Sequence, residues 1–221
     1  MRLAALALIA VAWAHAQVAE KANERYATPE ARSRMARGMT DPGRDLQQKP
    51  RELVASLAIA PGMVLADVGT GPGYMLPFLS EAVGPRGRVL AEDIFPDFLE
   101  AVTRRAQSEH LANVTAVLGT ETDPRLAARS LDLAFLLDAY HHFNYPEPML
   151  AHLREALKDS GRLVVVDYYR RRDAMPGNDA LEHIRVDQPQ VIGEIEASGF
   201  RLVSKRDHIP DRQYVLEFRK R

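Results

Sequence analysis

The sequence predicts an α/β, doubly wound fold: a mostly parallel seven-stranded sheet with helices on both faces and an antiparallel hairpin at its C-terminal end. Three observations predict it. Short apolar runs alternate with helix-compatible segments over residues 50–198, and such alternation calls for a parallel sheet covered on both sides. The first run ends in glycines at alternate positions, Gly69, Gly71 and Gly73. The last two runs, 200–208 and 213–220, are parted only by a turn at Pro210-Asp211, and strands joined so tightly must be antiparallel.

Taken in order, residues 18–39 are polar and helix-permissive, with Thr28 as cap and Pro29 as first helical residue. Asp41-Pro42-Gly43 marks a turn, and after Pro50 the residues Leu53, Val54, Leu57 and Ala58 fall at helical spacing. Pro61-Gly62 turns the chain into a strand at 64–68. A helix follows over 74–82, with Pro77 in its first turn, where no backbone donor is lost. A second strand spans 88–94, a long helix 96–110, a third strand 113–118 and a short helix 123–129. The fourth strand is 131–137, and the helix after it, 146–158, turns Met149, Leu150, Leu153 and Leu157 to one side. Asp159-Ser160-Gly161 then turns into a fifth strand at 162–167, and a helix at 190–198 precedes the hairpin. The pattern holds no internal repeat and no second domain.

Composition bounds the function. A formal net charge of −1 over 221 residues gives no global attraction to nucleic acid or to an anionic membrane. The absence of cysteine removes disulfides, thiolate nucleophiles and Cys-based zinc sites. Met1-Arg2, the apolar run 3–14 and the Ala14-His15-Ala16 triplet read as a secretory signal peptide over residues 1–16. The run is short of the ~20 residues that span a bilayer. The expectation is therefore an exported chain, periplasmic or secreted, with no stable membrane insertion after cleavage. A misassigned start codon would make it cytoplasmic instead.

The richest stretch is M-V-L-A-D-V-G-T-G-P-G-Y-M-L, residues 63–76. Glycine at every second position admits backbone conformations closed to other residues and lets a ligand lie against the chain. A nicotinamide fingerprint, G-x-G-x-x-G, would need the third glycine one position later. The acid two residues before the first glycine would repel a phosphate but hold an ammonium group or a ribose hydroxyl. There is also no Lys-Ser/Thr pair of a P-loop. A cationic, phosphate-free nucleoside suits these residues better than NAD or ATP.

Asp67-Val68-Gly69-Thr70-Gly71-Pro72-Gly73 resembles the first motif of the class I S-adenosylmethionine-dependent methyltransferases, matching it at every fixed position. The likeness covers residues 50–218 and is clearest up to Asp167. It implies a Rossmann-like sheet with a C-terminal hairpin, S-adenosyl-L-methionine as cofactor, a methyltransferase domain over 50–221 and a helical extension over 17–49. The leader helices then either cover the cofactor or only shield the sheet edge.

Ligands of open α/β sheets sit beyond the carboxyl ends of the strands, which selects the candidates. Asp67, Gly69, Thr70, Gly71 and Gly73 form the loop. Asp93 closes the second strand, where a carboxylate can accept from both hydroxyls of a ribose cis-diol. Strand alternation points its neighbour Glu92 the other way. Ile94 and Phe95 could pack on adenine. The resemblance makes Thr120 and Glu121 candidates near the adenine amino group, and Asp138 a contact to the amino acid end or a brace for its loop. His141 and His142 follow the fourth strand, beside the expected methyl group. Imidazole is well tuned to remove a proton near neutral pH, and the pair either does so or braces the loop. Tyr168, Tyr169 and Arg170-Arg171-Arg172 lie at the rim as pocket wall or solvated turn. Asp138, His141, His142 and Asp167 have no diagnostic metal spacing, so no metal is assigned. The expected activity is methyl transfer to a small-molecule acceptor, with a non-catalytic S-adenosylmethionine- or S-adenosylhomocysteine-binding protein as the alternative. Nucleic-acid methylation is disfavoured, since neither an Asn/Asp-Pro-Pro-Tyr/Phe motif nor a catalytic cysteine is present.

Overall fold

The computed structural model describes residues 17–177 and 180–221; the expected signal segment lies outside them. Seven strands form one sheet in the order β3-β2-β1-β4-β5-β7-β6. They are β1 (Val64–Val68), β2 (Arg88–Asp93), β3 (Val114–Leu118), β4 (Leu131–Leu137), β5 (Leu157–Tyr168), β6 (Phe200–Ile209) and β7 (Gln213–Lys220). The pairs among β1 to β5 are parallel, while β7 runs antiparallel to both β5 and β6. Strand order reverses at β1, which pairs with β2 on one side and β4 on the other. The carboxyl end of β1 is therefore the switch point where such sheets bind ligands.

Helices cover both faces. Four short ones lead: α1 (Glu20–Asn23), α2 (Pro29–Met39), α3 (Arg44–Gln48) and α4 (Pro50–Ser56). Then come α5 (Leu76–Val83), α6 (Pro96–Ser108), α7 (Pro146–Ala156), α8 (Ala180–His183) and α9 (Gln188–Ala197). One core packs α7 and α9 on the sheet through Met149, Leu150, Leu153, Val191 and Ile195. The other packs α4, α5 and α6 through Leu53, Leu76, Leu79 and Val102. The apolar stripe read from α7 is thus the buried face, and Thr28 caps α2 by accepting from the Ala31 amide at 3.2 Å.

Two expected elements differ. Residues 123–129 form no helix, because Arg125 and Arg129 take φ of 51° and 53° and the Asp123 carboxylate accepts from the Arg125 amide at 2.7 Å. That local turn competes with the helical ladder. The turn expected at Asp159-Ser160-Gly161 lies inside β5, which starts at Leu157 and ends α7 at Ala156. Leu131 pairs with Leu157 and Leu133 with Arg162, so the extra β5 residues loop out as an irregular bulge.

Candidate cofactor and active site

The turn after β1 builds the floor of a cleft. Gly69, Gly71 and Gly73 take φ of 71°, 57° and 85°, a region that costs an L-residue about 1–2 kcal/mol. Gly73 serves packing, since a Cβ there would lie 2.5 Å from Leu76 Cδ1. Gly71 faces the cleft, with Met39 Sδ of the leader lying 3.4 Å from where its Cβ would be. The loop is tied down by carboxylates. Thr70 donates its hydroxyl to Asp67 Oδ2 at 2.7 Å, the Gly71 amide donates to Asp93 Oδ2 at 2.8 Å, and the Phe95 amide to Asp93 Oδ1 at 3.0 Å.

The lining is acidic. Asp67, Glu92, Asp93, Glu121 and Asp138 face the cleft, against Arg44 as the single Lys or Arg among its lining residues. Burial pushes Asp67 up to about 7, helped by repulsion from Asp93. Burial likewise raises Asp93 to about 6. It does the same to Asp138, opposed by Arg44 and reinforced by Asp167. Glu92 departs from the alternation argument: it too lines the cleft, because its carboxylate curls under the loop to accept from the Gly69 amide at 3.3 Å. Its Oε1 is buried with no hydrogen-bond partner among the described residues, and burial drives its pKa well up.

Beyond β4, Asp138 adopts φ 52°, a left-handed turn that aspartate tolerates better than most residues. It accepts from Arg44 at 3.1 Å and from Gln213 Nε2 at 2.7 Å. Ala139 and a turn of 3-10 helix follow, bringing the two histidines round. His141 is buried and bonds Asp167 Oδ1 through Nδ1 at 2.7 Å. His142 bonds Asn23 Oδ1 through Nδ1 at 2.8 Å. Of the pair, only His142 lines the cleft. Burial, then the neighbouring imidazoles, pushes His142 well below its usual range.

Other candidates separate. Ile94 and Phe95 line the cleft beside Phe98 and Leu137. Thr120 does not: its hydroxyl accepts from the Asp123 amide at 2.9 Å and closes a turn, leaving the cleft to Glu121. Tyr169 is held by Asp207 at 2.6 Å and Arg171 by Asp211 at 3.2 Å, away from the lining. The leader supplies what sequence reasoning missed. Asn23, Tyr26, Met39 and Arg44 all face the cleft, and Arg44 also lies 4.2 Å over the Tyr74 ring. A polar run at 18–39 broken by a few large side chains was the available signal.

A glycine turn at a switch point, faced by buried acids and covered by a helical leader, defines a protein of the doubly wound class with an acid-lined cleft at its switch point. Residues 65–161 match the family model described as a methyltransferase domain. A protein-L-isoaspartate O-methyltransferase of Methanothrix thermoacetophila is 30% identical over 109 residues, 49% of either chain. The nocamycin O-methyltransferase of Saccharothrix syringae is 36% identical over 83 residues, 38% of this chain and 30% of that one. The chain thus spans half or less of the length of these curated relatives. A SAM-dependent methyltransferase structure from Aquifex aeolicus superposes with a TM-score of 0.77 at 24% identity, covering 85% of this chain and 97% of that one. A family model thus matches the stretch that begins in β1, and the chain shares its fold with a SAM-dependent methyltransferase structure.

Proposed function

We propose that this cleft binds S-adenosyl-L-methionine and that the protein transfers its methyl group to a small-molecule acceptor. The observation that carries the reading is the charge of the site: five carboxylates and one guanidinium line the cleft, a surrounding for a cation that carries no phosphate. The orphaned Glu92 Oε1 and the left-handed Gly71 fit such a ligand. When bound, the cofactor supplies a sulfonium methyl open to in-line displacement, with S-adenosylhomocysteine as product.

The chain's own residues bind and position. Asp93 retains acceptor capacity for the ribose hydroxyls beyond its backbone amide partners. Ile94, Phe95 and Leu137 offer apolar surface for the adenine. Arg44 with Asp67 and Asp138 provides one cation and two anions for the amino acid end. His142 is the imidazole that meets the acceptor, and His141, buried on Asp167, is a positioning residue. Much of the acceleration then comes from holding acceptor and methyl carbon in line. Small-molecule O-methylation by a relative such as the nocamycin enzyme supports this acceptor class. We propose export as well, on residues 1–16 alone; N-terminal sequencing of the protein from cell fractions tests it.

Calorimetry tests the cofactor site. The full chain should bind S-adenosylmethionine and S-adenosylhomocysteine, and Asp93→Ala should weaken both at least tenfold, about 1.4 kcal/mol. Circular dichroism confirms that the variant folds. Absence of binding by folded wild-type protein would sink the reading. Binding without turnover across a broad acceptor panel would leave the non-catalytic alternative.

A further inference from the structure

Beside the cleft, the fold brings His183 to a pair of histidines that are adjacent in sequence, His141 and His142. His141 and His142 come from the turn after β4, and His183 comes from the last position of α8. Their ring centroids lie 4.1, 5.0 and 5.2 Å apart. One nitrogen from each falls within 4.8 Å of the other two.

The hydrogen bonds fix which nitrogens are available. The Asn23 amide donates to the His142 carbonyl at 3.0 Å, so its oxygen is the group that meets His142 Nδ1. An oxygen acceptor there requires the proton on Nδ1 and leaves the lone pair on Nε2. The Asp167 carboxylate imposes the same tautomer on His141. His141 Nε2 is then a buried lone pair, and it has no hydrogen-bond partner among the described residues. Carboxylate and amide groups that orient imidazoles in this way are the usual outer partners of metal-binding histidines.

We propose that His141, His142 and His183 form a binding site for one divalent transition-metal ion, of which Zn²⁺ is the representative. Metal–nitrogen bonds of 2.0–2.1 Å place tetrahedral ligand nitrogens about 3.4 Å apart, so the three need draw together by little more than an ångström. Three imidazoles suit Zn²⁺, Cu²⁺, Ni²⁺ or Fe²⁺ and are poor ligands for Mg²⁺ or Ca²⁺. They leave a tetrahedral ion one position for water or an acceptor oxygen. His142 Nε2 is then a metal ligand, and the acidity of the acceptor is raised by the ion. The site joins three parts of the chain: α1 through Asn23, the β4 turn, and α8.

The test uses the full chain, stripped with a chelator and titrated with Co²⁺ as a spectroscopic substitute and Zn²⁺ as competitor. One equivalent of Co²⁺ should bind with the visible d–d bands of a four- or five-coordinate ion, and Zn²⁺ should displace it. His183→Ala, on a short surface helix, should weaken binding at least tenfold. Asn23→Ala should weaken it by a smaller factor, and His110→Ala, far from the cluster, should leave it unchanged. Circular dichroism checks that each variant is folded. No stoichiometric binding by wild type, or equal affinity in folded His183→Ala, overturns the site. Neither result bears on cofactor binding, which Asp93→Ala reads separately.

Discussion

At the scale of single residues, the cleft depends on backbone that only glycine tolerates. Gly69 takes φ 71°, and a Cβ on it would lie 2.8 Å from the Ala139 Cβ. Gly69→Ala therefore meets left-handed strain and a collision with the turn that carries the histidines. The expected loss is about 2 kcal/mol, the left-handed penalty plus the contact, read as a lower denaturant midpoint with an unchanged slope. The same scale explains what was legible in the sequence. Asp67, the glycines and Asp93 lie where the motif and the strand end put them, because strand–turn–helix geometry is local. Glu92 was misjudged because alternation describes Cβ directions, whereas a long carboxylate can bend back to a free amide such as that of Gly69. Thr120 was misplaced because a hydroxyl two or three residues from a free amide closes a turn first.

At the scale of elements, the leader and the hairpin close the site together. Gln48 Nε2 on α3 donates to Gln213 Oε1 at 2.9 Å, and Gln213 Nε2 donates to Asp138 Oδ1 at 2.7 Å. Arg44, one turn earlier on α3, grips the same aspartate. Both glutamine side chains are buried. Gln213→Leu leaves polar groups without partners, at about 1–3 kcal/mol for a buried one. The leader should loosen before the sheet does. Limited proteolysis is expected to cut within residues 17–49 faster than in wild type while the fragment from residue 50 persists. Equal cleavage rates would show that the leader is held by other contacts, such as the Ala19 amide donating to Asn144 Oδ1 at 3.3 Å. The strands from β1 to β7 were legible because apolar runs and turns bound them. The seating of the leader was not, since a polar helix with a few large side chains reads equally as cover or as surface.

At the scale of the whole molecule, a net charge of −1 conceals a local excess of acid. Asp67 rises to about 7, and Asp93 and Asp138 to about 6, from an ordinary 3.8. A raised carboxyl favours the folded state most below its unfolded value. That contribution is lost as pH climbs through the folded value, so these three groups weaken the ligand-free protein between about pH 4 and 7. A cationic ligand reverses the preference by favouring the ionised forms. Its affinity should rise with pH up to about 7 and then level, and binding near pH 6 should release protons. Calorimetry in two buffers of different ionisation enthalpy measures that release directly. Proton uptake, or none, would mean that the ligand sits away from these carboxylates.

The tie between Gln48 and Gln213 spans 165 residues of chain, and it orders events during biosynthesis. At ribosomal rates of 5–20 residues per second, roughly ten to thirty seconds separate the appearance of the leader from that of the strand that holds it. The part made first is therefore the part whose last tie forms latest. Until the final hairpin emerges, a nascent chain can seat its leader on Asp138, His142 and Asn144 but lacks the glutamine clamp that fastens it.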